Sequence, residues 1–208
     1  ILSRMMEGAR YSFLIGALAV AAGFVTGGLI GMLSGYYGGR LDELVMKLID
    51  VQMAFPGVLL ALMLIAVFGV GLGNMALALG IMAIPRFSRI TRSGFLKYRE
   101  AEFVKAARVR GAGDGRILFR HILPHVAPDL IVTCSLSFAG AVMSEAGLSY
   151  LGLGIQPPTP SFGKMLSEAQ ASILQAGWYV LVPAVAITLL VMGFNLMGDG
   201  LQEVIGHD

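Results

Sequence analysis

Few residues in this chain have the type and spacing that chemistry requires. His121 and His125 stand four apart, a separation that puts two imidazoles on one helix face, where they could in principle share a metal ion. Glu145 is the one charged side chain in an otherwise uncharged stretch over 130–163. A carboxylate so placed faces a partner or a wet cavity, and it could touch a solute amine, pair with another subunit, or lie near the outer interface. His207 stands alone. No nucleophile, second acid or further ligand completes any of these sets, and the sequence has no GxxxxGK[ST] phosphate loop, no HExxH and no GxSxG. The histidines therefore read as ordinary interface side chains, and neither covalent catalysis nor a cofactor or metal bound by this chain is expected.

A second kind of chemistry is charge. Residues 102–126, EFVKAARVRGAGDGRILFRHILPHV, form a basic, glycine-broken segment in a chain whose other long stretches carry little charge. Good helix formers fill 98–110, glycines at 111, 113 and 115 stop that helix, and Asp114 is placed to cap a second one running to Pro124. The expected product is two short helices joined by a sharp turn. Ala106 and Ala107 leave a low surface that another protein can approach. Arg108, Arg110, Arg116 and Arg120 suit lipid headgroups, an acidic partner, or a membrane-topology bias alone. Nucleic acid is not an expected partner, because no aromatic platform or known fold for it accompanies the charge.

The elements that must hold these residues are set by composition. Of 208 residues, 56% are hydrophobic and 13% charged, and the mean hydropathy is +0.78. Uncharged runs of 29, 35 and 30 residues lie between Arg10 and Arg40, Asp50 and Arg86, and Glu168 and Asp199. Each exceeds the roughly 20 residues that carry a helix across a bilayer. The first is too long, and followed by too many others, for a signal peptide. The fold class is thus an all-α polytopic membrane protein, with five spans expected at 13–33, 55–70, 75–90, 130–148 and 178–197. The glycines of GVGLGN, residues 69–74, separate the second from the third.

Apolar residues at three-to-four spacing over 42–50 predict a helix lying at the interface. The proline- and glycine-rich stretch after Glu145 predicts an ordered external loop, with Phe162 and Trp178 as interface anchors. Small residues in the spans predict close helix packing. The single Cys134 forms no disulfide within the chain. Residues 35–50 and 86–129 hold 2 and 10 of the 15 lysines and arginines, which places both inside. The amino terminus then falls outside, so one further amino-terminal helix, six in all, is expected of the complete protein. Without a phosphate loop, such a chain suits a passive channel or scaffold as well as a transporter subunit.

Residues 105–124, KAARVRGAGDGRILFRHILP, resemble the EAA loop of binding-protein-dependent ABC transporter permeases, matching it at Ala106, Ala107, Gly111, Leu123 and Pro124. Lys105 stands where that loop carries glutamate, and His121 where isoleucine is common. GYYGGRLDELVMKLIDVQMAFP, EAGLSYLGLGIQPPTPSFGKML and FNLMGDGL extend the resemblance along nearly the whole chain, to the second permease subunit of dipeptide and oligopeptide importers. The resemblance implies a type I ABC importer permease domain over 1–208, lacking its first helix, with 98–126 as the cytoplasmic coupling loop. It implies four kinds of partner in a bacterial or archaeal cytoplasmic membrane: a second homologous permease, two ATP-binding subunits that use ATP and Mg, an extracytoplasmic solute-binding protein, and lipid. Dipeptides or oligopeptides are the implied cargo, with nickel and glutathione permeases as close relatives.

Overall fold

The computed structural model describes residues 2–205, the side chain of Ile205 aside, so His207 lies outside the described residues. Every regular element described is helical. α1 spans Leu2–Tyr37 and α4 spans Leu72–Tyr98, and the two form the most extensive helix contact of the fold. Its cause is a four-residue glycine repeat. Gly23, Gly27, Gly31 and Gly35 fall on one side of α1, where the missing side chains let backbone meet backbone. A Cβ on Gly27 would stand 2.6 Å from the Ile84 carbonyl oxygen, one on Gly35 would stand 2.7 Å from that of Arg92, and one on Gly31 would overlap that of Ser88. These glycines serve close packing.

α2, Gly39–Ala54, and α3, Gly57–Phe68, meet at a 92° bend around Pro56. Asp42 receives Arg92 of α4 through Nε and Nη2 at 2.5 and 2.6 Å, and Asp50 receives Arg89 at 2.5 Å. Gln52 donates to the Ile81 carbonyl at 2.6 Å. That carbonyl is free because Pro85, four residues on, has no N–H to offer it. Advancing along α2 therefore retreats along α4, so the two run antiparallel. The helix expected at an interface packs beside α4, with Leu41, Leu44, Leu48 and Val51 exposed along its outer side. The turn expected at 69–74 is present: Gly69 and Gly71 take positive φ, and Asn74 donates to the Phe68 and Gly69 carbonyls at the end of α3.

α4 continues past the expected boundary to Tyr98, and the chain turns at 99–101 before α5, Glu102–Val109. α6 then runs as one helix over Asp114–Tyr150. Sequence punctuation puts a stop at Pro124, but the helix passes it. Residues Ile117–Ile122 adopt π-type hydrogen bonding, with the Leu123 N–H reaching the Leu118 carbonyl, and this wider register receives Pro124 without breaking the rod. A loop, the short helix α7 at Phe162–Ala169, and α8 at Trp178–Ile205 complete the order. Phe138 of α6 packs between Phe13 of α1 and Phe194 of α8, with ring centroids 5.0 and 4.0 Å away. Phe162 is a core residue at 2% exposure rather than an interface anchor, while Trp178 is exposed.

By length and composition three helices among the described residues can cross a membrane, Leu2–Tyr37, Asp114–Tyr150 and Trp178–Val204, and a fourth crossing results if the bent pair α2 and α3 acts as one. α4 is long enough, but Arg86, Arg89, Arg92 and Lys97 crowd its second half. Leu181, Val185, Leu189 and Leu196 of α8 are exposed, as the outer surface of a protein in lipid requires.

Candidate functional site

The basic loop is built on two amphipathic pieces. α5 turns Val104 and Ala107 inward, at 0% and 7% exposure, onto a core shared with Tyr36 of α1, Phe95 of α4, and Ile117 and Ile122 of α6. Its outer side presents Lys105, Ala106, Arg108 and Val109. Val109 is 90% exposed, a bare aliphatic side chain at the tip of the loop. Gly111 ends the helix at φ +80°, a conformation that side-chain-bearing residues rarely adopt. Its N–H donates to the Arg108 carbonyl at 2.9 Å, and the next N–H, of Ala112, donates to the Ala107 carbonyl at 3.0 Å. The glycine stop expected from sequence is therefore a real helix terminus.

Asp114 does not cap a helix, since Gly113 is the N-cap residue and no side chain caps it. Its carboxylate instead accepts from Tyr36 Oη at 2.7 Å and Tyr37 Oη at 3.5 Å. Arg108 Nη2 donates to Tyr36 Oη at 3.3 Å, and its guanidinium lies 5.6 Å from the centre of the same ring. α5, the start of α6 and the end of α1 are thus tied at one tyrosine. Two tyrosines at a helix terminus facing a glycine-flanked aspartate are the signal that could have found it.

Between α5 and α6 lies a groove of about 360 Å³, floored by Ala106, Ala107 and Ala112 and walled by Phe103, Arg110, Arg116 and His121. Alanines make the depression, and the basic walls give it sign. Lys105 Nζ holds Glu102 at 3.0 Å one turn back, and this carboxylate raises the lysine above its ordinary range. Leu123 is half-buried beneath the loop and Pro124 is exposed, both in the stretch of α6 just after the π-bonded turn. The two histidines part company: His121 lines the groove, whereas the His125 ring packs against Phe103 and Tyr98 at 4.9 and 5.3 Å. Among the described residues no group of three or more His, Cys, Asp and Glu side chains could hold a metal.

Glu145 lies apart from the loop, 22 residues after Leu123 on the same helix, about 33 Å away. It is fully buried. Ser12 of α1 donates to Oε2 and Ser149 to Oε1, each at 2.7 Å, and Ser161, the N-cap of α7, lies beside the carboxylate. The side chain therefore joins α1, α6 and the loop before α7 at the opposite end of the bundle. Replacing Glu145 with leucine would leave these hydroxyls without their acceptor. E145L should lose about 1–3 kcal/mol of stability against denaturant in detergent, with E145Q much closer to the parent. Equal midpoints for E145L and the parent would contradict this role.

A bundle of long apolar helices, packed through glycine and carrying a short basic helix between two of them, defines a multi-pass permease subunit. The chain belongs to the family of binding-protein-dependent transport system inner membrane components, the permeases of ABC importers, whose family profile matches residues 27–207. It is 42% identical over 205 residues to the dipeptide transport system permease protein DppC of Alkalihalophilus pseudofirmus, covering 99% of this chain and 67% of the relative. It is 44% identical over 205 residues to the glutathione transport system permease protein GsiD of Escherichia coli, covering 99% and 68%. The inward-facing MetNI methionine ABC transporter, in its native crystal form, superposes with a TM-score of 0.80 over 98% of this chain and 97% of that one. At 18% identity that likeness concerns the fold alone.

Proposed function

We propose that this permease moves short peptides inward, as one half of a membrane pore whose other half is a second, homologous permease. Two ATP-binding subunits sit beneath the pair and an extracytoplasmic solute-binding protein delivers the cargo. The observation that carries the peptide reading is the run of 40% identity or more, over 99% of the chain, with transporters named for dipeptides and for glutathione, itself a tripeptide. In this reading the chain crosses the membrane five times, by α1, by the bent pair α2 and α3, by α4, by α6 and by α8. The aspartates of α2 support the second and third crossings, because they neutralise Arg89 and Arg92.

Residues 98–126 act as the coupling loop on the cytoplasmic side, a reading that the excess of lysine and arginine supports. α5 enters a cleft of one ATP-binding subunit, and the groove over Ala106 receives a side chain of that subunit. Lys105, Ala106, Ala107 and Gly111 form the contact, while Leu123 and Pro124 root it in α6. Closure of the ATP-binding pair then moves α5, and the shared core at Val104, Ala107 and Tyr36 passes that motion to α1, α4 and α6.

The groove separates two substitutions that look alike in sequence. Ala106 is exposed whereas Ala107 is buried, so A106W blocks docking and A107W also disrupts the core. A106W should lower recovery of the ATP-binding subunits on affinity purification by roughly tenfold or more, since filling a central contact pocket removes a hot spot. A106S should leave recovery near the parent level. Undiminished recovery with A106W would remove the docking assignment. For the whole reading, vesicles holding all subunits should take up a tripeptide only when ATP is supplied, and uptake indifferent to ATP would overturn it.

A further inference from the structure

α4 carries three arginines in its second half, and they are treated differently. Arg89 and Arg92 are held by Asp50 and Asp42 of α2. Arg86 is exposed, and among the described residues no carboxylate pairs with it. It lies 14 residues into the helix, about 21 Å from the Leu72 end. That depth is within the roughly 30 Å hydrocarbon layer if α4 begins at the outer surface. A cation there faces the bundle interior or a wet cavity, because lipid gives it no partner.

The structure supplies such a space. Arg86, Ser93 and Lys97 follow one another at helical spacing along one side of α4 and line a groove of about 600 Å³ against Asp129 and Thr133 of α6. Arg86 also borders a second hollow of about 190 Å³ that continues along α6 past Ser137. Ser137 is 9% exposed, and its Oγ is covered and has no hydrogen-bond partner. Arg86 lines both hollows, and the larger one forms a track between α4 and α6. It has the size of an ordinary small-molecule site. It offers two cations and one carboxylate, and the Asp129 carboxylate has no ion-pair partner among the described residues.

We propose that this track is the chain's share of the solute path, with Arg86 receiving the carboxylate of a passing peptide and Asp129 its ammonium group. The assignment rests on the peptide-import reading and adds to it a place of contact inside the membrane. Free peptide termini carry the two charges that the track complements, which an apolar or singly charged solute does not. Ser93 supplies a hydroxyl along the way, in place of the water a peptide sheds on entering.

The test uses the assembled importer in vesicles. R86A should lower ATP-driven uptake of a free tripeptide by about tenfold or more, as expected for losing a charged hydrogen-bond partner, and R86K should recover most of it. In a C134A background, S93C should react readily with a hydrophilic maleimide and be protected by the peptide, while L189C on the exposed side of α8 stays slow. R86A importing like the parent overturns the proposal, and so does an S93C as unreactive as L189C. An uptake defect in R86A that appears only when anionic lipid is present would assign Arg86 to headgroups, which also overturns it. If the parent importer moves no peptide, the substrate reading fails by itself, and the S93C reaction still reports whether the track is open to water.

Discussion

Gly31→Leu should separate α1 from α4 and prevent the bundle from forming. The obstacle at this position is the Ser88 carbonyl oxygen, with the Thr91 side chain and the Arg92 nitrogen close behind. A flexible side chain could move aside, but the backbone of a packed helix cannot without carrying its neighbours with it. Overpacking commonly costs about 1–3 kcal/mol, and a clash with backbone along a continuous glycine face belongs at or above the top of that range. The expected result is loss of the folded subunit from mild detergent and a thermal transition far below the parent's. Gly28 supplies the contrast. It neighbours the glycine face, yet a Cβ there would meet only Thr91 Oγ1 at 4.0 Å. G28A should therefore be neutral or stabilising, by up to about 1 kcal/mol from helix propensity. A G31L protein that unfolds with the parent would refute the backbone-contact account of this pair.

Gly111→Pro should leave the spans folded and abolish coupling. Proline fixes φ near −65°, whereas this residue sits at φ +80°, and proline also removes the N–H that reaches the Arg108 carbonyl. The chain would have to leave α5 in another direction, which displaces the groove over Ala106 relative to α6. The local cost is about 3 kcal/mol or more, confined to an exposed turn. Uptake driven by ATP should fall at least about tenfold, with the subunit itself still recovered from the membrane. G111A, which meets nothing within 4 Å and suffers only the unfavourable φ, should lose about 1 kcal/mol locally and retain most transport. Full uptake by G111P would show that the turn's geometry does not matter to coupling.

The contrast between these two sites also shows what a sequence discloses. The turn at Gly111 is legible, because a helix stop is a local event and glycine announces it. The long spans at α1, α6 and α8 are legible for the same reason, since their length and lack of charge are local properties. The packing of α2 against α4 is not. An apolar stripe at Leu41, Leu44 and Leu48 does not say which helix the other side meets, and the deciding partners, Arg92 and Arg89, lie 50 and 39 residues away. Pro124 misleads for a related reason: its usual effect is to end a helix, and the π-bonded turn that absorbs it leaves no mark in residue type. Glu145 was visible as unusual, but of its two hydrogen-bonded serines only Ser149 is near in sequence, and Ser12 lies 133 residues away. Burial of Phe162 is equally non-local, set by Gly163 lying so close to the Ala146 carbonyl that the loop sits flush on α6.

One feature of α6 reaches beyond packing. Its 37 residues make a rod about 55 Å long, rooted at one end in the loop that Tyr36 ties down and joined at the other to the serines around Glu145. Such a rod works as a lever. A swing of roughly 5° about the Asp114 end would carry the Tyr150 end about 5 Å, and the π-bonded turn and Pro124 lie beside that fulcrum. A small displacement at the end nearest α5 becomes a larger one at the end that holds Glu145.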